Sequence, residues 1–238
     1  MIVVLALAAV CTAVLSAVFG MAGGLVLLGV YTSLLPLPAA MVLHGLTQLV
    51  ANGSRAWFLR ERIAWRPVGA YAVGAVLAWG LLAFVRPPAD PAFVLILAGS
   101  TPFVARLIPW RPDGAQPHVA MLAGFLVQTL QVTAGVAGPL LDVFFIDSKL
   151  DRHGIVATKA ATQTLSHAAK IGFWASLVDG GLAPQDAVAT ASAALLGTWL
   201  GGRLLDRIDE ATFRSATKWI VLGLGGAYVV RGLVAFLA

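Results

Sequence analysis

Charged residues are scarce in this chain, and their scarcity excludes an ordinary soluble domain. Only 11% of the 238 residues are Asp, Glu, Lys or Arg, whereas a soluble domain carries about 25%. Hydrophobic residues make up 59%, and the mean hydropathy is +0.88. These values predict an all-α integral membrane protein.

Cysteine is scarce, and features of other protein classes are missing. Cys11 stands alone, which excludes an internal disulfide and a metal cage of several cysteines. No positively charged segment precedes the first apolar run, so we expect that run to belong to the mature fold and not to a signal peptide. Because the mid-membrane charges are mostly basic, the acidic rings of a cation channel are missing too.

Motifs for catalysis are missing as well. The chain lacks G-x-S-x-G and H-E-x-x-H, and the adjacent Ser166 and His167 point about 100° apart on a helix, a poor geometry for a nucleophile and its base. The sequence therefore predicts no enzyme activity, no metal site and no cofactor.

What the chain does contain is a series of apolar runs that approach or exceed the roughly 20 residues needed to span a bilayer. They cover residues 2–19, 39–59, 67–85, 91–109, 117–134, 153–176, 184–204 and 212–236. We expect a multi-pass protein of the cell (inner) membrane, with the lipid bilayer as a partner. The net charge of +5 does not indicate nucleic acid, because Lys and Arg collect in the cytoplasmic loops of membrane proteins.

The chain repeats itself internally. At an offset of 115, residues 20–58 align with 135–173 without a gap, and nine positions are identical. The matches concentrate in a glycine-rich break and in a Thr-Gln pair. We therefore predict two structural repeats, 1–110 and 117–238, joined by a cytoplasmic linker at 111–116.

The basic residues predict that the repeats are inverted. The loop at 55–66 carries four arginines, whereas its counterpart at 177–186 carries Asp179 and Asp186 and no Lys or Arg. Equivalent loops should then face opposite sides of the membrane. This works if 1–35 and 117–150 are broken, re-entrant-type hairpins that return to their side of entry, each followed by three transmembrane helices. Twelve of the 16 Lys and Arg residues are then cytoplasmic.

Each hairpin is broken at glycines: "GMAGG" at 20–24 and "GVAGP" at 135–139. The first break is followed by about 11 apolar residues before Pro36, too few to span a bilayer, which predicts a half-helix. The free amides at a half-helix N-terminus suit an anion. The alternative is that these small residues only allow tight helix packing. The candidate substrate-binding residues at the breaks are Gly20, Ala22, Gly23, Gly24, Gly135, Ala137, Gly138 and Pro139.

A polar stripe follows each hairpin on one face of the next helix. Its candidate substrate-binding residues are His44, Thr47, Gln48 and Asn52 in the first repeat, and Lys159, Thr162, Gln163 and His167 in the second. Buried polar residues in a membrane are functional candidates, although hydrogen bonding between helices could also explain them. The stripes continue to Arg55 and Lys170, which lie near helix ends and could snorkel to the interface, as could Lys159.

One carboxylate lies close to the second break. Asp142 occupies the position that Leu27 has in the first repeat. It could carry a coupling proton, or it could pair with a lysine such as Lys159.

The two breaks resemble motifs of the TauE/SafE sulfite exporter family, whose early Gly-x-Gly-Gly-Gly-like and later Gly-x-Gly-Gly-Pro-like elements match "GMAGG" and "GVAGP", with Ala22 and Ala137 where glycine is frequent. The resemblance implies a secondary transporter of small sulfur-containing anions such as sulfite or organosulfonates, with export as the expected direction. The same resemblance implies proton coupling. The two inverted repeats predict alternating access, with the substrate site at the repeat interface. Alternatives are a membrane receptor or assembly protein without transport, or an intramembrane enzyme.

Overall fold

The structure is a computed structural model that describes residues 1–19, 22–110, 112–145, 148–178, 182–205 and 210–237. Within these residues the chain forms α-helices and no strand, as the sequence predicts. The helices of the first half are α1 (Ile2–Phe19), α2 (Ala22–Leu34), α3 (Leu37–Phe58), α4 (Trp65–Val85) and α5 (Pro91–Leu107). Those of the second half are α6 (Pro117–Thr133), α7 (Gly138–Phe145), α8 (Arg152–Ala175), α9 (Pro184–Leu205) and α10 (Glu210–Leu237).

Several helices begin at residues that suit a helix start. The Asp90 carboxylate accepts a hydrogen bond from the Phe93 amide at 2.7 Å, and the Asp151 carboxylate accepts one from the Gly154 amide at the same distance. Pro91 and Pro117 occupy the first turns of α5 and α6, where a missing N–H leaves no bond unmade. These residues therefore define where α5, α6 and α8 begin.

The first helix pair of each half forms a hairpin. The Tyr31 hydroxyl of α2 donates to the Leu5 carbonyl of α1 at 3.4 Å, so α2 runs back along α1. In the second half, the Gly114 amide donates to the Phe144 carbonyl at 2.7 Å, which brings the end of α7 back to the start of α6. α2 has 13 residues and α7 has eight. At 1.5 Å per residue neither reaches the roughly 30 Å of a hydrocarbon core, so both are half-helices.

Helices that occupy equivalent places in the two halves meet in antiparallel pairs. In the α3–α8 pair, Gly45 packs against Ile171, and farther along Gly53 lies near Thr164. In the α5–α10 pair, Gly99 packs against Gly225 and Gly232 against Ala92. The remaining large contacts are also matched between the halves, since α1 packs on α9 and α6 packs on α4.

The outer surface is strongly apolar. Large hydrophobic side chains such as Val76, Phe84, Leu107 and Phe236 are exposed, whereas soluble monomers seldom expose broad apolar patches. Among the described residues, two helical stretches are long and apolar enough to cross a membrane, Trp65–Val85 and Trp219–Leu237. Length and composition alone make these weak indications, and the apolar exterior adds to them.

Candidate functional site

A cavity of about 630 Å³ lies between the two halves. It opens at the end of the bundle where α3 ends and α8 begins, which we call the 58/152 end, because Phe58, Leu59 and His153 line its mouth and Phe58 is 57% exposed. Both half-helices and both polar stripes contribute to its walls. Ten of the candidate residues line it: Gly24, His44, Gln48, Asn52, Ala137, Gly138, Pro139, Lys159, Gln163 and His167.

The opposite end of the cavity is closed by apolar packing. Leu25 and Val136 line the cavity and also belong to a buried cluster with Met41, Trp174 and Tyr228. The Trp174 indole N–H donates to the Val132 carbonyl at 2.9 Å, and the Tyr228 hydroxyl donates to the Leu25 carbonyl. The cavity is therefore accessible from the 58/152 end and sealed at the other.

The charge in the open half of the cavity is positive. Arg55 and Lys159 line it, and no Asp or Glu is among the described lining residues. Lys159 also forms an ion pair with Asp142, and their side chains are 22% and 37% exposed. Two roles were open for Asp142, carrying a coupling proton or pairing with a lysine. The contact that the structure shows is the pairing with Lys159. Two cations against one nearby carboxylate leave an excess of positive charge for an anion.

A second basic group lies at the closed end. Lys170 is fully buried, and its Nζ lies 2.6 Å from His44 Nδ1 and donates to the Gly135 carbonyl at 3.1 Å. The His44 Nε2 in turn lies 2.9 Å from the Gly24 carbonyl. The interpretation that Lys170 snorkels to the interface is wrong, because its ammonium group points into the protein between the two breaks.

Gln131 of α6 completes this group. Its Nε2 donates to the Gly135 carbonyl at 2.9 Å and lies 3.2 Å from His167 Nδ1. The His44 and His167 ring centroids are 5.6 Å apart. We call Lys170, His44, His167 and Gln131 the inner cluster. It joins the stripes of both repeats to the carbonyl groups of both breaks.

Four further candidates, Gly23, Thr47, Gly135 and Thr162, do not line the cavity. Thr47 donates to the Leu43 carbonyl and contacts the Tyr31 hydroxyl, whereas Thr162 donates to the Lys159 carbonyl, so both hydroxyl groups have structural partners. Gly23 packs tightly against Thr12 and Ser16 of α1, as the helix-packing alternative predicts. Gly135 does not line the cavity, but its carbonyl accepts hydrogen bonds from Gln131 and Lys170. Gly20 and the side chain of Ala22 lie outside the described residues.

The sequence analysis missed several lining residues, including Gln131, Ser16, Thr198 and His153. The repeat contained a signal for two of them, because Ser16 and Gln131 are themselves 115 residues apart. Both are polar, and each lies four residues before a break. Arg55 and Lys170 were recognised as parts of the stripes but were not included among the candidate site residues.

The residues considered for catalysis contact different partners. The Ser166 hydroxyl bonds to the Tyr71 hydroxyl at 2.7 Å, whereas His167 contacts Gln131. Neither contact joins Ser166 to His167. Among the described residues, no three His, Cys, Asp or Glu side chains are grouped so that they could hold a metal ion.

Comparison with protein families gives one match. The model described as "Sulfite exporter TauE/SafE" matches residues 5–228, which is nearly the whole chain. Comparisons with curated proteins and with solved structures gave no match. The family match and the apolar helices together identify a helical membrane protein of the transporter class. The chain belongs to the TauE/SafE sulfite exporter family.

Proposed function

We propose that the protein is a secondary transporter, an exporter by family, of small sulfur-containing anions such as sulfite or organosulfonates, coupled to protons. The substrate binds in the cavity between the repeats, in contact with the half-helix N-termini and the polar stripes. The protein acts in the cell (inner) membrane as a multi-pass protein of two inverted repeats, 1–110 and 117–238, with the 58/152 end on the cytoplasmic side.

The observation that carries this proposal is the chemistry of the cavity wall. Arg55 and Lys159 supply positive charge, and the first turn of α7, at Gly138, adds the positive end of a helix dipole. The Gln163 side-chain amide nitrogen is buried without a hydrogen-bond partner. A buried donor without a partner is unfavourable, and an oxyanion would satisfy it. These groups suit a small anion and would repel a cation.

The arrangement of the halves supports alternating access. Equivalent helices run antiparallel in the α3–α8 and α5–α10 pairs, as expected for inverted repeats related by an axis in the membrane plane. The cavity is open at one end and sealed at the other, which fits an inward-facing state. Rocking one repeat against the other would close the 58/152 end and open the end now sealed by the apolar cluster.

A flux screen tests the substrate class. Purified protein in proteoliposomes is offered sulfite, sulfoacetate, sulfolactate, thiosulfate and sulfate, with protein-free vesicles as the baseline. We expect saturable flux of at least one of these anions. The absence of saturable flux for all five anions would contradict the proposal.

Two glutamine substitutions test the site. Gln48→Ala and Gln163→Ala each remove an amide from the cavity wall. Hydrogen bonds to charged groups contribute about 1.5–3 kcal/mol, so we expect each variant to lose roughly ten- to hundredfold in apparent anion affinity, which abolishes transport at low anion concentration, while the protein still reaches the membrane.

The matched control is Gln185→Ala, because this glutamine is exposed at the start of α9 and does not line the cavity. It should transport like the wild type. Unchanged flux in both cavity variants would refute the assignment of the site.

A further inference from the structure

Lys170 is a buried cation without an acidic partner. It is 0% exposed, and among the described residues no Asp or Glu pairs with it. Its counterpart in the internal repeat is Arg55, and the counterpart of His44 is Lys159. Arg55 and Lys159, which we call the outer cation pair, have Asp142 beside Lys159. The equivalent position near His44 holds Leu27, which is fully buried among apolar side chains. The inner cluster therefore lacks the carboxylate that lies beside the outer cation pair.

The hydrogen bonds of the inner cluster indicate which of its nitrogen atoms donate and which accept. His44 Nε2 faces the Gly24 carbonyl, so it carries the hydrogen, and His44 Nδ1 accepts from Lys170 Nζ. The Gln131 amide has two hydrogens and donates one to the Gly135 carbonyl and one to His167 Nδ1. Both histidines are therefore neutral in this arrangement, and Lys170 donates two hydrogen bonds, a role that its amine form and its ammonium form can each fill.

Among the described residues, no other titratable side chain forms a hydrogen bond or ion pair with the inner cluster. On α7, Asp142 is paired with Lys159 of α8. On α4, Tyr71 bonds to Ser166; on α2, Tyr31 contacts Thr47; and on α10, Tyr228 donates to the Leu25 carbonyl. Arg55 lies on α3 at the open end of the cavity, 11 residues from His44. On α6, Gln131 is the polar contact and carries no charge.

We propose that Lys170, together with His44 and His167, is the proton-binding site that couples transport, and that its proton is the counter-charge of the transported anion. This inference rests on the proposed function and names the coupling residues for it. Lys170 is held behind His44 and His167, both of which line the cavity, so protons reach it through the imidazoles while the anion stays in the cavity.

The linkage follows from burial. A charged ammonium group without a counter-ion is costly in a low-dielectric interior. An anion in the cavity beside His44 and His167 supplies the missing negative charge, so proton binding and anion binding favour each other by the same factor. The proton and the anion bind from the same side and are released together on the other, so an outward anion gradient drives export and carries the proton with it. The bound proton offsets one negative charge of the anion.

The experiment separates coupling from binding. Proteoliposomes are loaded with a pH-sensitive dye. Sulfoacetate is the first probe, because neither of its acidic groups takes up a proton near pH 7. Sulfite is the second probe, with protein-free vesicles as the baseline. Two rates are measured: accumulation driven by a pH gradient, and exchange of labelled for unlabelled anion without one. Lys170→Met should lose at least tenfold of the driven accumulation and the associated pH change, and it should also exchange anion more weakly because it lacks the counter-charge. The separation of coupling from binding therefore rests on Lys170→Arg, whose exchange should stay within about twofold of the wild type.

Lys170→Arg keeps the charge and guards against a folding defect, because arginine stays protonated in proteins; it should also lose driven accumulation. Asp142→Asn should keep it, and the exposed Lys149→Met should match the wild type in both assays. Driven accumulation that persists in both Lys170 variants, or that is lost in Asp142→Asn alone, would overturn this inference and leave the transport function standing. If the wild type moves neither anion in either assay, the proposed function itself is refuted for these substrates and the inference fails with it.

Discussion

Replacing Gly135 by alanine should destabilise the protein by about 2–3 kcal/mol. Gly135 has a φ of 77° and is the one glycine with positive φ among the described residues. The left-handed conformation costs an L-residue about 1–2 kcal/mol. A Cβ at this position would lie 2.7 Å from Met41 Sδ and 3.2 Å from Leu28 Cδ1. Because these are the ends of flexible side chains, we add only about 1 kcal/mol, the low end of the overpacking range.

A loss of about 2 kcal/mol, the lower end of this range, corresponds to a roughly 30-fold larger unfolding constant, since about 1.4 kcal/mol is tenfold. Reversible unfolding of the purified protein in mixed micelles measures this difference. Gly172→Ala is the matched control, because Gly172 lies within α8 and nothing approaches its Cβ position within 4 Å; alanine there should stabilise by up to about 1 kcal/mol. If Gly135→Ala unfolds no more readily than the wild type, the strained break is not a property of the native fold.

Two further predictions concern the outer cation pair and the topology. Lys159→Met should weaken anion binding about tenfold or more by removing a charged donor from the cavity wall, whereas Asp142→Asn should strengthen it because it frees the Lys159 ammonium group; calorimetric titration distinguishes these opposite signs, and equal effects would contradict the proposed charge balance. For the topology, Arg60→Cys and Gln185→Cys are each made in a Cys11→Ser background. An impermeant thiol reagent should label the two positions from opposite sides of the membrane, and labelling from the same side would rule out the inverted arrangement.

Helix positions could be predicted well from the sequence. The apolar runs at 117–134 and 184–204 differ by one residue at an end from α6 and α9. The half-helices could be predicted too, because the glycines and the short apolar stretch after them leave no other helical solution in a membrane. These features depend on local composition and length, which the sequence contains directly.

The content of the inner cluster could not be predicted from the same patterns. Lys170 lies near the end of its apolar run, and a long basic side chain at such a place can equally reach the interface. Its burial depends on the antiparallel crossing of α3 and α8, which brings it within 2.6 Å of His44, 126 residues away. The same holds for Gln131, whose amide reaches His167 only because α6 packs on α8. Helix periodicity gives the face of a side chain but not its partner on another helix.

The duplicated break has a physical consequence beyond half-helix termini. The Gly24 carbonyl of the first break and the Gly135 carbonyl of the second are both held by the inner cluster, one through His44 and the other through Lys170 and Gln131. Within the inner cluster, the bond that joins the two halves is the one from Lys170 to His44. A movement that separates the two hairpins with their neighbouring helices must therefore break this bond, and the charge on Lys170 changes how strongly it holds. Since charged donors form stronger hydrogen bonds than neutral ones, a protonated cluster binds the two hairpins together more firmly than a deprotonated cluster. The position of the hairpins and the protonation of the inner cluster are thus linked through the same few atoms.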